Sequence, residues 1–174
     1  MNTDIFLKIN SWAGQNMWLD RLMIFSANNL GYILVGLVIV VCFLSRSKYR
    51  EILILSIGSA VMARFGIVTL IRFSYYHPRP FLVLQNVHQL LSHDTESSFP
   101  SGHAAFYFAL ATTLYFYNKK IGVIALILSG LMGFARVFTG LHWPLDIVTG
   151  VVVGVVTALL LYKAHPRYRK ILGI

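Results

Sequence analysis

Five long apolar stretches divide this chain, and they restrict what it can fold into more than any other feature. They occupy residues 22–44, 51–71, 101–117, 121–139 and 144–162. A helix that crosses the hydrocarbon core of a bilayer needs roughly 20 predominantly apolar residues, and every backbone polar group there must be satisfied within the segment. The sequence therefore predicts an all-α integral membrane protein with five transmembrane helices. No linker is long enough to separate two units, so we expect a single domain over 1–174.

The composition agrees with a membrane protein. Of the 174 residues, 57% are hydrophobic and 12% are charged, whereas soluble domains carry about 25% charged residues. The net charge of +9 would favour a nucleic-acid partner in a soluble protein. Here the basic residues flank apolar stretches, where they set membrane topology, so we expect no nucleic-acid partner. The single Cys42 excludes an intrachain disulfide and a metal site built on cysteine.

The first 20 residues have the pattern of an amphipathic helix. Apolar side chains recur there at helical spacing, at Ile5, Phe6, Ile9, Trp12, Ala13 and Met17. Polar residues occupy the other face, and tryptophan is typical of the membrane interface. Residues 1–20 are thus predicted to form an interfacial helix that lies flat on the bilayer. The alternative is a solvent-exposed helix that packs on the bundle. This segment lacks the basic region and cleavage site of a signal peptide, so we expect nothing to be removed.

Basic residues in the loops predict the orientation of the chain. Nine of them lie between the first and second stretches, between the third and fourth, or after the fifth: Arg46, Lys48, Arg50, Lys119, Lys120, Lys163, Arg167, Arg169 and Lys170. All nine fall on one side of the membrane, and cytoplasmic loops carry an excess of lysine and arginine. We therefore expect a multi-pass protein with a cytoplasmic C-terminus and an N-terminal helix on the outer side.

Arginines on the opposite side form the first of three polar motifs. Arg72 and Arg79 are separated by six residues, and prolines at 78 and 80 turn the chain there. Guanidinium groups match phosphate oxygens in a bidentate way. The alternative is that both side chains only extend to lipid headgroups. Arg136 favours the phosphate interpretation, because it lies within an apolar stretch, where a charged residue is usually functional.

The second motif, Pro100-Ser101-Gly102-His103, opens the third apolar stretch. Ser101 is a good N-cap, and the free backbone amides at the start of a helix bind anions. Gly102 allows a phosphoryl oxygen to approach the backbone closely, and His103 would then point at the bound anion. The alternative is a helix cap followed by an interfacial histidine.

The third motif is His142-Trp-Pro-Leu-Asp146. Pro144 suits the first turn of a helix, so His142 lies just before the fifth stretch. The Asp146 carboxylate can reach back to one imidazole nitrogen, which fixes the tautomer and leaves the other nitrogen free as a nucleophile. The alternative is a capping aspartate beside an interfacial histidine. All three motifs lie at stretch ends on the outer face, so the site is predicted to face the periplasm or the cell exterior.

Together these segments resemble the signature of the type 2 phosphatidic acid phosphatase superfamily. That signature reads Lys/Arg-x6-Arg-Pro, then Pro-Ser-Gly-His, then Ser-Arg-x5-His-x3-Asp, and Ala135 stands here where the family usually has serine. The resemblance implies an acid phosphatase/vanadium haloperoxidase-like helical bundle, and a phosphatase that needs no metal and no other cofactor. Its substrate would be a lipid phosphate.

The resemblance also implies residue roles. The histidine that matches His142 attacks phosphorus and forms a phosphohistidine, assisted by the carboxylate that matches Asp146. The histidine that matches His103 protonates the leaving oxygen. The residues that would hold the phosphate are Arg72, Arg79, Ser101, Gly102 and Arg136.

Within the superfamily, three details look most like bacterial undecaprenyl-diphosphate phosphatases of the bacitracin-resistance type. They are the stretches His77-Pro-Arg-Pro-Phe81, Phe99-Pro-Ser-Gly-His103 and Gly133-Phe-Ala-Arg136. The resemblance implies a bacterial inner-membrane enzyme that removes one phosphate from this lipid carrier on the outer face. Phosphatidylglycerophosphate, phosphatidic acid and lipid A phosphatases are alternatives. Outside the enzymes, the alternative is a non-catalytic lipid-binding or transport protein.

Two features have no assigned role at this level. Arg64 lies deep in the second apolar stretch, where it either lines the substrate groove or pairs internally. The loop over 85–97 holds histidines and acids whose spacing fits no established metal-ligand pattern. We interpret this loop as a cover over the site.

Overall fold

The computed structural model describes residues 1–44, 48–93 and 97–165, and within these ranges the chain is helical with no strand. Nine α-helices are present there: α1 Asn2–Asn10, α2 Met17–Asn28, α3 Leu30–Leu44, α4 Lys48–Val61, α5 Thr69–Ser74, α6 Pro80–Val83, α7 Gly102–Tyr117, α8 Lys119–Phe138 and α9 Pro144–Ala164. A π-helical segment, Met62–Val68, joins α4 to α5 without a break.

Three helices are long and apolar enough to cross a membrane: Leu53–Ser74, Lys119–Phe138 and Pro144–Ala164. A fourth span is possible if the bent pair Met17–Asn28 and Leu30–Val40 counts as one. The remaining predicted span corresponds to α7, which has 16 residues, fewer than the roughly 20 that a span usually needs. The protein is thus an all-helical membrane protein with three to four candidate spans in the described chain, and the five-span arrangement stays a prediction.

The first predicted span, 22–44, is not one straight helix. It begins earlier, at Met17, because the Asn16 side chain accepts hydrogen bonds from the amides of Trp18 and Leu19. It also bends by 49° between α2 and α3, at the pair Asn28-Asn29, a residue type that competes with helical hydrogen bonding. The bend has a consequence for the polar motifs, because the Ala27 carbonyl beside it accepts a hydrogen bond from Arg136 Nη2 at 3.1 Å.

The prediction of one helix over 1–20 is wrong in extent. Helix α1 ends at Asn10, and Gly14 has a positive φ of 78° before α2 begins. Asn10 is buried and donates to the carbonyls of Phe138 and His88. This helix therefore packs on the bundle, with Phe6 against Trp143 at a ring-centroid distance of 5.2 Å. Its placement relative to the bilayer surface stays a prediction.

Helix α7 is central and packs against α4, α8 and α9. It approaches α9 closely at two glycines one turn apart, as is common between membrane helices. A Cβ on Gly150 would lie 2.6 Å from the Ser101 carbonyl oxygen, and one on Gly154 would collide with the Ala105 carbonyl. The two helices therefore run side by side from a common end, where the Ser101 amide donates to the Asp146 carbonyl at 3.0 Å.

The basic residues used to predict orientation are only partly described. Arg46, Arg167, Arg169 and Lys170 lie outside the described residues. Lys119 and Lys120 begin α8, and Lys163 lies in the last turn of α9. These positions are at the helix ends opposite the polar motifs.

Candidate active site

Residues of the third motif form a buried cluster between α8 and α9. His142 Nδ1 lies 3.3 Å from Asp146 Oδ2, and both residues are 1% exposed. The second Arg of the first motif completes the cluster, because Arg79 Nη1 lies 3.4 Å from His142 Nε2. The two imidazole nitrogens therefore face groups of opposite charge.

This arrangement determines the chemical state of the imidazole. A carboxylate at Nδ1 favours a proton on that nitrogen, and the Arg79 donor at Nε2 requires a lone pair there. Burial, followed by the charge of Arg79, holds the pKa of the His142 imidazole well below its usual value. His142 is therefore neutral at neutral pH, with an unprotonated Nε2.

The short turn between α8 and α9 holds His142 through its backbone. Gly140 has a φ of 84°, and the amides of Leu141 and His142 both donate to the Arg136 carbonyl. The Leu141 carbonyl in turn accepts from Arg79 Nη1 at 3.0 Å. Arg79 thus contacts both the ring and the backbone of this turn.

Asp146 is fixed by the local structure of α9. Pro144 occupies the first helical position, as its lack of an amide hydrogen favours. The Trp143 amide donates to Asp146 Oδ2 at 2.9 Å. The same carboxylate oxygen therefore contacts both the backbone at the start of α9 and the His142 ring.

The first motif reaches this cluster through a turn. Arg79 is 1% exposed and immediately precedes α6, whose first residue is Pro80. The turn is tied to the third motif, because Trp143 Nε1 donates to the Pro78 carbonyl at 3.0 Å. Arg72, in the last turn of α5, donates from Nε and Nη2 to the Pro100 carbonyl at 3.3 and 2.9 Å. The first motif is thereby joined to both other motifs.

Ser101 is the N-cap of α7, as the sequence predicts, and its hydroxyl accepts from the Ala104 amide at 3.4 Å. Gly102 and His103 are the first two residues of the helix. The start of α7 lies beside the start of α9, so the second and third motifs meet at one end of the bundle.

Arg136 is buried in the last turn of α8, with 4% of its surface exposed. Nη2 is satisfied by the Ala27 carbonyl, whereas Nε and Nη1 have no hydrogen-bond partner among the described residues. Unsatisfied buried donors are costly, by about 1–3 kcal/mol each. A guanidinium with two donors left over is suited to an incoming anion.

One residue of this cluster has no role assigned from the sequence. Arg64 Nη1 lies 3.3 Å from His103 Nδ1, so a fourth guanidinium joins the motif residues. A charge within an apolar stretch was the available signal. That signal did not indicate where the Arg64 side chain points, because the π-helical segment that carries Arg64 is not visible in the sequence pattern.

The 85–97 loop packs against the bundle where it is described. The His88 amide donates to Asn10 Oδ1, and the Leu90 amide donates to the Thr139 carbonyl. Asp94 and Glu96 lie outside the described residues. The loop thus adjoins the turn that carries His142, and its action as a cover stays a prediction.

Known proteins resemble this chain in sequence and in architecture. Residues 52–170, which contain all three motifs, match the PAP2 superfamily. The chain is 31% identical over 163 residues to "Undecaprenyl-diphosphatase BcrC" of Bacillus subtilis (strain 168), which covers 94% of the chain and 83% of the relative. It is 30% identical over 167 residues to "Bacitracin transport permease protein BcrC" of Bacillus licheniformis, with 96% and 82% covered. The crystal structure of Aquifex aeolicus LpxE superposes with a TM-score of 0.79 at 29% identity, covering 93% of this chain and 94% of that one.

Proposed function

We propose that this chain, which belongs to the PAP2 superfamily and is a membrane lipid phosphatase, hydrolyses undecaprenyl diphosphate to undecaprenyl phosphate and inorganic phosphate. The B. subtilis relative bears the name of that activity. The observation that carries the chemistry is the buried His142–Asp146 pair, with Arg79 at the other imidazole nitrogen, Nε2. A neutral, oriented imidazole next to a guanidinium is suited to attack an anionic phosphoryl group.

The proposed first step is a transfer of the terminal phosphoryl group to His142. The Nε2 lone pair forms a bond to phosphorus while the bond from phosphorus to the bridging oxygen breaks. His103 donates a proton to that oxygen, so undecaprenyl phosphate leaves. Asp146 stabilises the positive charge that develops on the His142 ring.

In the proposed second step, His103 accepts a proton from water, which attacks the phosphohistidine. The nitrogen–phosphorus bond breaks, and inorganic phosphate and neutral His142 are restored. The groups that bind the phosphoryl oxygens in both steps are the side chains of Arg72, Arg79, Ser101 and Arg136 and the amide of Gly102. These cations and donors supply the positive charge that a metal ion supplies in other phosphatases, so the proposed reaction needs no metal.

Phosphate release by the purified protein tests this function. In detergent and excess EDTA, we expect hydrolysis of undecaprenyl diphosphate to exceed that of phosphatidylglycerophosphate and phosphatidic acid. A preference for either of the other two lipids would reassign the substrate. Absence of phosphate release from all three would favour a binding or transport protein, as the name of the B. licheniformis relative suggests. A strict requirement for a divalent ion would contradict the proposed chemistry.

We further propose that the site faces the periplasm or cell exterior of a bacterial inner membrane, with the C-terminus in the cytoplasm. The motif residues lie at the ends of α5 and α8 and at the starts of α7 and α9, opposite Lys119, Lys120 and Lys163. Lysines at the other ends of these helices support a cytoplasmic location for those ends.

Cysteine labelling in intact cells measures this orientation. In a Cys42→Ala background, an impermeant thiol reagent should label Gln85→Cys, an exposed position near the motifs. The matched control, Lys119→Cys, is exposed at the opposite end and should react only after the cells are permeabilised. The reverse pattern would place the site in the cytoplasm and exclude a role on the outer face.

A further inference from the structure

Arg64 lies across the start of α7. Its Nη1 is 3.3 Å from His103 Nδ1. Its Nη1, Cγ and Cζ lie 3.4–3.6 Å from the place that a Cβ on Gly102 would occupy. The side chain is half-buried. It therefore runs over Gly102 and ends at His103, on the leaving-group side of the proposed reaction.

The π-helical segment accounts for this direction. Residues seven apart lie on one face of an α-helix. Arg64 and Arg72 are eight residues apart, but part of that interval lies in the π segment Met62–Val68. A π segment holds more residues per turn than an α-helix, so the two positions return to the same face. Both guanidiniums consequently face the start of α7, one at the Pro100 carbonyl and one at His103. Such π segments inside α-helices are frequent at functional sites.

Among the described residues, the side chains around Arg64 carry more positive than negative charge. Among the described residues no carboxylate lies within ion-pairing distance of its guanidinium, and the polar side chain that it contacts is an imidazole. The described part of the site contains one carboxylate, Asp146, against the four guanidiniums of Arg64, Arg72, Arg79 and Arg136. A partly buried guanidinium in this position is suited to an anionic ligand.

We propose that Arg64 binds the phosphoryl group that stays on the lipid, and so forms a second phosphate subsite that favours diphosphates over monophosphates. This inference rests on the proposed function. His103 must reach the bridging oxygen, and that oxygen belongs to the retained phosphoryl group. Arg64 Nη1 contacts the His103 ring at Nδ1, so a phosphoryl group bonded to that oxygen would lie within reach of the long Arg64 side chain. A monophosphate ester places only carbon and hydrogen there.

The competing interpretation is that Arg64 only positions His103. Nη1 donates to Nδ1 in that case, which places the His103 proton on Nε2. A residue that only positions His103 affects the monophosphate at least as strongly as the diphosphate, because the alkoxide that leaves a monophosphate depends more on protonation by His103 than a phosphate ester does. A subsite for the retained phosphoryl group affects diphosphates alone, so substrate comparison separates the two.

The test uses the purified full chain with farnesyl diphosphate and farnesyl phosphate, which share one tail. We expect Arg64→Gln to lower kcat/KM for the diphosphate by about 30- to 100-fold, the usual effect of losing a charged hydrogen bond. For the monophosphate the change should stay below about 3-fold, and Arg64→Lys should retain an intermediate diphosphate activity. Arg21→Gln, at an exposed arginine on α2, is the matched control and should leave both substrates unchanged. Thermal melting in detergent verifies that the variants are folded.

An equal or larger loss on the monophosphate would overturn the subsite and leave a positioning role, and no loss on either substrate would exclude both. A second measurement does not depend on turnover. Calorimetric titration with inorganic diphosphate and with inorganic phosphate should show that Arg64→Gln weakens binding of the diphosphate selectively, and an equal weakening would also overturn the subsite. If the wild-type protein released phosphate from no lipid, the proposed function would fail, while the titrations would still decide whether Arg64 selects diphosphates.

Discussion

Replacement of His142 with alanine is expected to lower phosphate release by about 10⁴-fold or more, because it removes the proposed nucleophile of the covalent step. The imidazole is 1% exposed and contacts Asp146 and Arg79, so the variant leaves a small cavity between two charged groups. Its folding should be verified by thermal melting in detergent. The measurement is the initial rate of phosphate release from undecaprenyl diphosphate.

His88→Ala is the matched control for this prediction. His88 is exposed, and its backbone, rather than its ring, makes the hydrogen bonds to Asn10. That variant should keep wild-type activity. Retention of substantial activity in a folded His142→Ala protein would exclude a phosphohistidine at this position.

The intermediate itself should be visible when His103 is replaced with alanine. The leaving group of the first step is a phosphate ester, a good leaving group, whereas the second step lacks its base. Labelled substrate should therefore leave an acid-labile phosphoenzyme in His103→Ala and none in the double variant that also carries His142→Ala. Equal labelling of both proteins would place the covalent bond elsewhere.

Arg136→Met is expected to change activity and stability in opposite directions. Activity should fall by about 10²- to 10³-fold, the typical effect of removing one preorganised donor from a transition state. The melting temperature should stay the same or rise, because the variant removes a buried cation whose Nε and Nη1 have no partner among the described residues. Phosphate release and thermal melting in the same detergent measure the two effects.

Arg136→Lys separates charge from geometry in this prediction. Lysine keeps the positive charge but cannot present two fixed donors, so most of the activity should still be lost. A fall in melting temperature in Arg136→Met, as large as that of an ordinary core truncation, would show that the hydrogen bond to Ala27 outweighs the unsatisfied donors. Arg136 would then be primarily structural.

Local spacing explains why much of this cluster was accessible from the sequence. The interval from His142 to Asp146 is one helical turn, and Pro144 and Ser101 mark helix starts that the structure contains. The prolines at 78 and 80 likewise indicated a turn. Each of these inferences needs only residues within one turn of chain.

The features that the sequence did not predict depend on distant partners. Helix α1 ends at Asn10, whose side chain donates hydrogen bonds to the carbonyls of His88 and Phe138. These partners are 78 and 128 positions further along the chain. Beside the bend at Asn28-Asn29, the Ala27 carbonyl accepts a hydrogen bond from Arg136, which is 109 positions further along the chain. The direction of Arg64 depends on a π-helical segment whose residues are as apolar as those of an ordinary span. Periodicity and capping rules contain no information on such pairs.

The close approach of α7 and α9 at Gly150 and Gly154 also has an electrostatic consequence. The two helices start side by side, so the positive ends of their macrodipoles converge on one point. Each end is equivalent to roughly half an elementary charge, and together they contribute about as much as one additional cation. This contribution belongs to the backbone, so no arginine substitution removes it. Larger residues at the two glycines would separate the helix ends and weaken the affinity for anions at a distance from every phosphate-binding side chain.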